Sequence, residues 1–365
     1  MTVPDPLDRF INLWDFERAA EAALEPMAWR YFSGGAGDER TLRENRLAFE
    51  RRRLRPRVLV DVGCRSLATS VLGRPTSWPV LVAPMAFHGL ACGDAEAATA
   101  RAAAAEETVF CVSTMANLPL EQVRAAAPNA RQWFQLYVQR DRGVTAELVR
   151  RAAAAGYEAL VVTVDAPALG RREADLRHGF SLPAPLTPGN LDPSDAALLA
   201  GGHAARSALA AQFAASTDPS FAWGDLGWLR SLSPLPIVLK GVLHPDDARR
   251  AAEEGVDAVV VSNHGGRQLD GALAALDALP AVAAAAGDRL EVLMDGGIRR
   301  GTDVLAALAL GARAVLLGRP VLWGLAVGGE AGAARVLSLL RAEVDLALAL
   351  TGCTSPAEAT ADLLG

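Results

Sequence analysis

One short stretch, from Ser262 to Gly271, combines a proton carrier with a fixed positive charge. It reads Ser-Asn-His-Gly-Gly-Arg-Gln-Leu-Asp-Gly and directly follows the apolar, β-branched run 258–261, which predicts a buried strand. His264 can accept or donate a proton near neutral pH, and Arg267 can hold a carboxylate through two parallel hydrogen bonds. Because the two glycines between them allow a tight turn, both side chains are displayed where a strand ends. The combination suits proton abstraction from a small organic acid, although a solvated surface turn would have the same composition.

Other polar residues fall at the ends of apolar runs along the chain. They are Gln135, Tyr137, Thr163, Asp165, Lys240, Ser262, Asp295 and Arg319. Because alternate residues of a strand face the same side, Gln135 with Tyr137 and Thr163 with Asp165 can each point inward together. Lys240 ends the run Pro-Ile-Val-Leu-Lys-Gly, and a buried ammonium group needs a partner. An electron-rich cofactor is one candidate partner, and pairing of these polar groups among themselves is the other.

Two glycine-arginine combinations suggest a site for an anion. They are Asp295-Gly296-Gly297-Ile298-Arg299 and Gly318-Arg319-Pro320. Glycine lets an anion approach backbone N–H donors closely, and helix N-termini favour negative charge. Such groups after the seventh and eighth strands of a barrel commonly bind phosphate. The sequence therefore predicts a phosphorylated cofactor.

The elements that must position these residues repeat eight times. Short apolar runs that predict strands alternate with helical patterns, many of them rich in alanine. The predicted strands are 79–87, 109–114, 133–138, 159–165, 236–242, 258–264, 291–297 and 314–320. Eight such units predict an α/β fold, a (β/α)₈ TIM barrel with active-site residues at the carboxyl ends of its strands. A doubly wound open sheet is the alternative, but no Gly-x-Gly-x-x-Gly follows the first strand.

The remaining segments are predicted additions to a single domain that spans residues 1–365. Residues 1–78 should form N-terminal helices, with Asp15 as an N-cap and Pro26 opening the second helix, followed by a hairpin beneath the barrel. The barrel should occupy 79–330, and helices should fill 331–365. About seventy residues, 166–235, interrupt the repeat after the fourth strand. So long a connection predicts a lid-like excursion, with a short helix near 203–213.

Composition narrows the classes of function. The chain of 365 residues is 51% hydrophobic and 21% charged, as globular proteins are, and its net charge of −6 argues against a nucleic-acid binder. No apolar run is long enough to predict a membrane span. The four cysteines, Cys64, Cys92, Cys111 and Cys353, are far apart, so neither a zinc site nor a disulfide framework is predicted. We expect a cytoplasmic protein that binds no metal ion and does not associate with a membrane.

Together these residues resemble the FMN-dependent 2-hydroxy-acid oxidase and dehydrogenase family, which includes glycolate oxidase, lactate oxidase and mandelate dehydrogenase. The likeness covers nearly the whole chain. It is carried by the 262–270 stretch, Tyr31 near Ser-Gly-Gly, Phe134-Gln135-Leu136-Tyr137, Thr163-Val164-Asp165, the 169–175 run Leu-Gly-Arg-Arg-Glu-Ala-Asp, Lys240-Gly241, Asp295-Gly296-Gly297 and Gly318-Arg319-Pro320. The resemblance implies a TIM barrel that binds FMN and assembles as a homotetramer or a larger oligomer.

The resemblance also implies roles for individual residues. His264 would be the base that removes the substrate hydroxyl proton while the Cα hydrogen passes to flavin N5 as hydride; in the alternative carbanion mechanism it would take the Cα proton. Asp165 would orient His264, and Lys240 would stabilise the reduced flavin. The substrate carboxylate would be bound by Arg172 and Arg267, with Tyr31 and Tyr137 donating hydrogen bonds. The remaining FMN contacts would come from Pro84, Met85, Ala86, Ser113, Gln135, Thr163, Ser262, Asp295, Gly296, Gly297, Arg299, Gly318 and Arg319.

Two residues bear on the substrate side chain. Met115 occupies a position that is tryptophan in glycolate oxidases, and Phe87 follows the Pro-Met-Ala turn. A flexible thioether and an aromatic ring favour a roomy apolar pocket, so we expect a mandelate-like aromatic (S)-2-hydroxy acid. A lactate or glycolate oxidase, or a dehydrogenase that uses an acceptor other than oxygen, is the alternative. A non-catalytic barrel and a flavin-free isomerase are further alternatives of different classes.

Overall fold

The chain enters the fold through three helices. In the computed structural model, which describes residues 6–200 and 207–365, these are α1 (Leu13–Ala23), α2 (Pro26–Ser33) and α3 (Arg40–Glu50). Pro26 opens α2 as predicted, since proline at the first helical position loses no internal hydrogen bond. The prediction that Asp15 caps α1 is wrong. Asn12 has extended backbone and its side chain accepts from the Asp15 N–H, which makes Asn12 the cap.

A two-stranded hairpin closes the bottom of the barrel. It consists of β1 (Thr69–Val71) and β2 (Arg74–Thr76), which pair in antiparallel register across Leu72 and Gly73. Val71 is fully buried and belongs to the cluster that fills the barrel interior. The backbone N–H of Leu72 donates to the carboxylate of Glu291, at the start of a barrel strand. The predicted hairpin beneath the barrel is therefore confirmed.

Eight parallel strands then close into a barrel in chain order, with the last strand pairing with the first. They are β3 (Val80–Val82), β4 (Phe110–Ser113), β5 (Gln132–Leu136), β6 (Leu160–Thr163), β7 (Ile237–Val242), β8 (Ala258–Val261), β9 (Glu291–Asp295) and β10 (Ala314–Leu317). Nearly all of their residues are buried, because one face lines the interior and the other packs against helices. The (β/α)₈ TIM barrel is confirmed.

Helices follow the strands around the outside. They are α4 (Ala95–Ala105), α5 (Leu120–Ala126), α6 (Arg142–Ala154), α7 (Glu173–His178), α8 (Pro193–Ala200), α9 (Ala208–Ser216), α10 (Leu226–Ser231), α11 (Pro245–Glu253), α12 (Ala275–Ala286), α13 (Gly301–Ala309) and α14 (Arg319–Thr351). The predicted eighth strand is too long, since β10 ends at Leu317 and Arg319 already begins α14. Pro320 suits the first turn of a helix better than a central strand, which explains this difference.

The insertion after β6 folds back over the barrel. It carries α7 to α10, and isolated bridges tie Thr217 to Gln139 and Ser207 to Phe180. The ring of Phe180 stacks on Tyr31 with 4.4 Å between centroids. Of the helix predicted near 203–213, residues 203–206 lie outside the described residues, and α9 starts at Ala208 after a Ser207 cap. No helix in the described ranges is long and apolar enough to cross a membrane.

Candidate active site

A cavity of about 1100 Å³, its open mouth included, lies where the barrel strands end. It brings together residues from eight different strand ends and from α2 and α9. Of the predicted site residues it is lined by Tyr31, Pro84, Met85, Ala86, Ser113, Met115, Gln135, Tyr137, Thr163, Arg172, Lys240, His264, Arg267, Asp295, Gly296, Gly297, Arg299, Gly318 and Arg319. Side chains more than two hundred residues apart in sequence thus border one space, because carboxyl ends of parallel strands meet at one end of the barrel.

His264 stands on an unusual turn after β8. Its φ is 59°, and Gly265 and Gly266 follow with φ of 64° and 75°, so three successive residues have left-handed backbone. A side chain at Gly266 would place its Cβ 2.6 Å from the Leu42 backbone nitrogen, which explains the second glycine. The Ser262 hydroxyl accepts from the His264 backbone N–H at 3.0 Å and braces the turn. A histidine held in a sparsely populated conformation is common at active sites.

A carboxylate and a phenol flank the His264 ring. Nδ1 lies 2.9 Å from Asp165 Oδ1, and Nε2 lies 3.5 Å from the Tyr137 hydroxyl. Burial lowers the pKa of His264 and outweighs the opposing charge of Asp165, while His264 and Lys240 hold the pKa of Asp165 below its usual value despite its burial. Burial also raises the pKa of Tyr137 to about 12. At neutral pH the ring is therefore neutral, the carboxylate is charged, and the imidazole can accept a proton.

Lys240 forms the second internal pair. Its Nζ lies 2.9 Å from Asp295 Oδ2 and donates to the Ser262 hydroxyl at 3.0 Å. Burial disfavours the ammonium form, but Asp295 and Asp165 outweigh it and raise the pKa of Lys240. Lys240 therefore stays charged and is paired with Asp295. This corresponds to the alternative in which the polar groups at the strand ends pair among themselves. The other carboxylate oxygen, Asp295 Oδ1, is buried without a hydrogen-bond partner among the described residues, and it can accept from a hydroxyl group.

Arg172 and Arg267 line the same cavity as His264. Arg267 donates to the carbonyls of Tyr31 (2.6 Å) and Gly34 (3.0 Å), and its guanidinium lies 4.9 Å from the centre of the Tyr31 ring. Burial and the nearby Arg172 lower the pKa of Arg267 to about 10. Neither arginine forms an ion pair with a carboxylate within the described ranges. Both cations are thus available to an anion that enters the cavity.

Arg299 and Arg319 form a second pair of guanidinium groups that have no carboxylate within ion-pair distance in the described structure. Arg319 donates to the backbone carbonyls of Phe32, Gly34 and Gly265 at 2.8–3.0 Å, and burial lowers its pKa to about 9. Arg299 stacks on Trp323 at 4.5 Å, its Nε is buried without a hydrogen-bond partner in the described structure, and burial lowers its pKa to about 10. Both remain charged at neutral pH. Two buried guanidinium groups that lack carboxylate partners fit a bound phosphate.

The donor set therefore fits FMN along its whole length. The arginines and Gly318 suit the phosphate, and Asp295 Oδ1 suits a hydroxyl of the ribityl chain. Three neutral side chains are available to the ring system: the Ser113 hydroxyl donates to Gln135 Oε1 at 3.0 Å, and Gln135 Nε2 donates to the Thr163 hydroxyl at 3.0 Å. Gly296 and Gly297 have φ of 101° and 84°. Because they carry no side chain, they leave room for the cofactor to approach the backbone. At Gly297 a side chain would also strike the Asn45 carbonyl.

Three predicted residues do not line the cavity. Asp165 and Ser262 lie one layer behind it and act on His264 and Lys240 through the bonds described above. Phe87 is fully buried behind Tyr31, with 5.8 Å between the ring centroids. Its ring also stacks on Phe180 at 6.1 Å, so its contacts are with protein side chains.

The sequence-based reasoning missed the apolar wall on the lid side. Leu169, Leu209 and Phe213 line the cavity, and the Phe213 ring meets Tyr137 edge-on at 5.3 Å. Leu209 and Phe213 are four residues apart and share one face of α9. This spacing was visible in the sequence, but nothing in it specified which face of an alanine-rich helix would turn inward.

Known proteins resemble this chain over nearly its full length. A family model described as FMN-dependent dehydrogenase matches residues 20–365. An L-lactate oxidase of Nostoc sp. is 55% identical over 348 residues, which cover 94% of this chain and 95% of the relative. Glycolate oxidase 3 of Oryza sativa subsp. indica is 46% identical over 354 residues, 97% and 96% of the two chains. A solved structure of mandelate oxidase with (S)-4-hydroxymandelic acid superposes with a TM-score of 0.92 at 42% identity and covers 98% of both chains.

Proposed function

The chain belongs to the FMN-dependent dehydrogenase family, and on that premise we propose that it oxidises an aromatic, mandelate-like (S)-2-hydroxy acid to the 2-oxo acid with oxygen as the electron acceptor. The family membership makes it an FMN-dependent oxidoreductase of the 2-hydroxy-acid oxidase group. The observation that carries the catalytic proposal is the neutral His264 imidazole, which is hydrogen-bonded to Asp165 at 2.9 Å and borders the same cavity as two unpaired arginines.

His264 removes the substrate hydroxyl proton in this proposal. Its Nε2 faces the cavity beside Tyr137, and the opposite ring nitrogen is engaged by Asp165. Once the ring becomes positively charged, the nearby carboxylate stabilises it. Arg172 and Arg267 bind the substrate carboxylate, and Tyr31 and Tyr137 add hydrogen bonds that orient the α-carbon. FMN, when bound, supplies the acceptor for the two electrons and the α-hydrogen.

The cofactor would be held by the residues whose chemistry fits it. Arg299, Gly318 and Arg319 would bind the phosphate, and Asp295 with the turn at Gly296 and Gly297 would receive the ribityl chain. The ring system would lie against Pro84, Met85 and Ala86, near Ser113, Gln135 and Thr163. Lys240 would add a positive charge that favours the reduced cofactor.

The side chain of the substrate would meet an apolar wall. Met115, Leu169, Leu209 and Phe213 line the cavity, with the Phe213 ring against Tyr137, and none of them carries a charge. A phenyl group buries well over 100 Å² on such a surface, whereas the methyl group of lactate buries far less. The mandelate oxidases among the structural neighbours support the aromatic substrate. L-lactate is the second candidate, because the 55% identical relative is an L-lactate oxidase.

A panel of 2-hydroxy acids tests these proposals. Flavin bleaching would be followed anaerobically with (S)-mandelate, L-lactate and glycolate, and oxygen would then be admitted. We expect the largest kcat/KM with (S)-mandelate and rapid recovery of the yellow colour in air. A preference for L-lactate would establish the second candidate instead, and slow recovery in oxygen would indicate a dehydrogenase.

The homotetramer and the cytoplasmic location stay predictions. Exposed apolar residues support assembly: Val58 and Leu59 stand on the loop that packs near the end of α14, where Leu346 and Leu350 are also exposed. Contiguous apolar surface on a soluble protein often marks an interface. Light scattering on the purified protein measures the number of subunits directly.

A further inference from the structure

Glu96 is a buried carboxylate that lies outside the cavity and has no part in the proposed chemistry. It sits in the first turn of α4 with none of its surface exposed. Its Oε1 accepts from the backbone N–H groups of His88 (3.1 Å) and Asn117 (3.0 Å), and its Oε2 accepts from that of Leu118 (3.2 Å). Both carboxylate oxygens of Glu96 are therefore engaged by backbone N–H groups.

The three N–H groups belong to two different loops that reach the cavity. His88 ends the turn after β3 that carries Met85 and Ala86, and Asn117 and Leu118 follow Met115 after β4. Met85, Ala86 and Met115 all line the cavity. One carboxylate therefore joins the segments that form neighbouring parts of its wall.

The first of these loops is held in a conformation that its sequence does not favour. Phe87 has φ of 60°, a left-handed backbone that large side chains rarely adopt. Such a conformation persists only where neighbouring groups hold it. The Phe87 N–H donates to the Met115 carbonyl at 3.3 Å, His88 Nδ1 lies 2.8 Å from the Thr99 hydroxyl, and the His88 N–H donates to Glu96.

The insertion rests on the same pair of loops. Asn117 Oδ1 accepts from the Gly89 N–H at 2.8 Å, and its Nδ2 donates to the Thr187 carbonyl at 3.1 Å. The Gly189 N–H donates to the Ala116 carbonyl at 2.8 Å. Glu96 holds the Asn117 backbone by a hydrogen bond. It therefore also holds the point where residues 187–189 of the insertion attach to the loop after β4.

We propose that Glu96 is a positioning residue that sets the shape of the substrate-side wall at Met115, and with it the size of the side chain that the enzyme accepts. The proposal rests on the proposed oxidation of 2-hydroxy acids. Glu96 touches neither substrate nor cofactor and acts through the two loops. Glycolate has no side chain to meet this wall, so its oxidation depends on Glu96 least.

The test compares Glu96→Gln with Glu291→Gln. Glu291 is a matched control, because its carboxylate also accepts from a backbone N–H, that of Leu72, but at the opposite end of the barrel. Glutamine keeps the shape of Glu96 but replaces one acceptor oxygen with a donor. We expect kcat/KM for (S)-mandelate to fall about tenfold more than kcat/KM for glycolate in Glu96→Gln, as the loss of a hydrogen bond to a charged group predicts. Glu291→Gln should leave the ratio of the two values unchanged.

Hydrogen exchange provides a readout that does not depend on turnover. Peptides that cover 84–90 and 114–118 should exchange faster in flavin-loaded Glu96→Gln and at the wild-type rate in Glu291→Gln. A folded, flavin-bound Glu96→Gln protein with the wild-type substrate ratio and wild-type exchange refutes the proposal. If Glu96→Gln does not fold, Glu96→Asp carries the test, because it keeps the charge but shortens the reach to the three backbone N–H groups, and an unchanged ratio in that folded variant refutes the proposal equally. A wild-type protein that oxidises no 2-hydroxy acid refutes the proposed function instead, and exchange then still decides the role of Glu96 in the loops.

Discussion

Two sets of ionisable side chains lie in or directly behind the wall of the same cavity, and they differ in whether the protein supplies their partners. In the first set every group has a side-chain partner within the protein, because neutral His264 hydrogen-bonds to Asp165 and Lys240 forms an ion pair with Asp295, each at 2.9 Å. The second set consists of Arg172, Arg267, Arg299 and Arg319. Their guanidinium groups are bonded mostly to backbone carbonyls, and in the part of the chain that the structure describes none is paired with a carboxylate.

The difference follows from where the two sets stand. Lys240 and Asp295 lie within barrel strands and Asp165 and His264 lie just beyond strand ends, so alternate strands of the rigid barrel hold the partners at fixed distances. The arginines lie in loops or, for Arg319, at the start of a helix, and no neighbouring strand supplies a partner. A buried charge needs an opposite charge or hydrogen bonds nearby. The first set finds these partners within the protein, whereas the arginines of the second set require a bound anion. A substrate carboxylate and a cofactor phosphate would supply two.

The largest expected effect is on turnover. His264→Ala should retain the flavin and lose activity by a factor of about 10²–10⁴, because it removes the proposed base and none of the phosphate ligands. Anaerobic flavin reduction in a stopped-flow instrument measures the loss. Wild-type reduction rates in a flavin-loaded variant would show that the base is another group.

Breaking the second internal pair should cost stability. Lys240→Met leaves Asp295 buried without its cation, and we expect the free energy of unfolding of the flavin-free protein to fall by about 3–5 kcal/mol. Urea titration measures the change. The double variant that adds Asp295→Asn should recover most of the loss. If the double variant is no more stable than Lys240→Met, the pair is not what neutralises this part of the barrel.

The pH dependence of kcat/KM should distinguish the role of His264 from that of Asp165. Activity requires neutral His264, so kcat/KM should rise with pH through the lowered pKa of His264, below its ordinary value of 6.5. Asp165 raises that pKa against the effect of burial, so Asp165→Asn should move the acid limb of the profile to still lower pH. It should also reduce the rate about 100-fold, since the positively charged ring loses its partner. A limb that moves upward would contradict the assigned role.

The smallest effect should come from the arginines that lack partners. Arg299→Met keeps the packing on Trp323 but removes the charge, so FMN should bind about 10- to 100-fold more weakly. Fluorescence titration of the flavin-free protein measures this, and riboflavin, which has no phosphate, is the control that should bind unchanged. In contrast to Lys240→Met, the stability of the flavin-free protein should not fall. Equal weakening of FMN and riboflavin would argue against a phosphate site at Arg299.

Most of the architecture could be predicted from local patterns. The eight apolar runs, the hairpin at Gly73 and the His264–Arg267 turn are each encoded by neighbouring residues, through β-branched composition and glycine placement. The exact ends of the elements follow less directly from local patterns. Asn12 rather than Asp15 caps α1, because either residue type satisfies the local rule and only packing selects one. The start of α14 at Arg319, in contrast, follows a local rule, since Pro320 suits the first turn of a helix.

The sequence by itself determined which chemical groups are present and which end of the barrel carries them, since strand order and side-chain alternation follow from periodicity. Only the tertiary structure decided how those groups pair. The fold pairs Lys240 with Asp295 and places no carboxylate of the described residues within ion-pair distance of Arg299 or Arg319. It also turns Leu209 and Phe213 towards the cavity and connects two loops through Glu96. These pairings depend on distances between residues far apart in the chain, and those distances set the strength of each charge interaction.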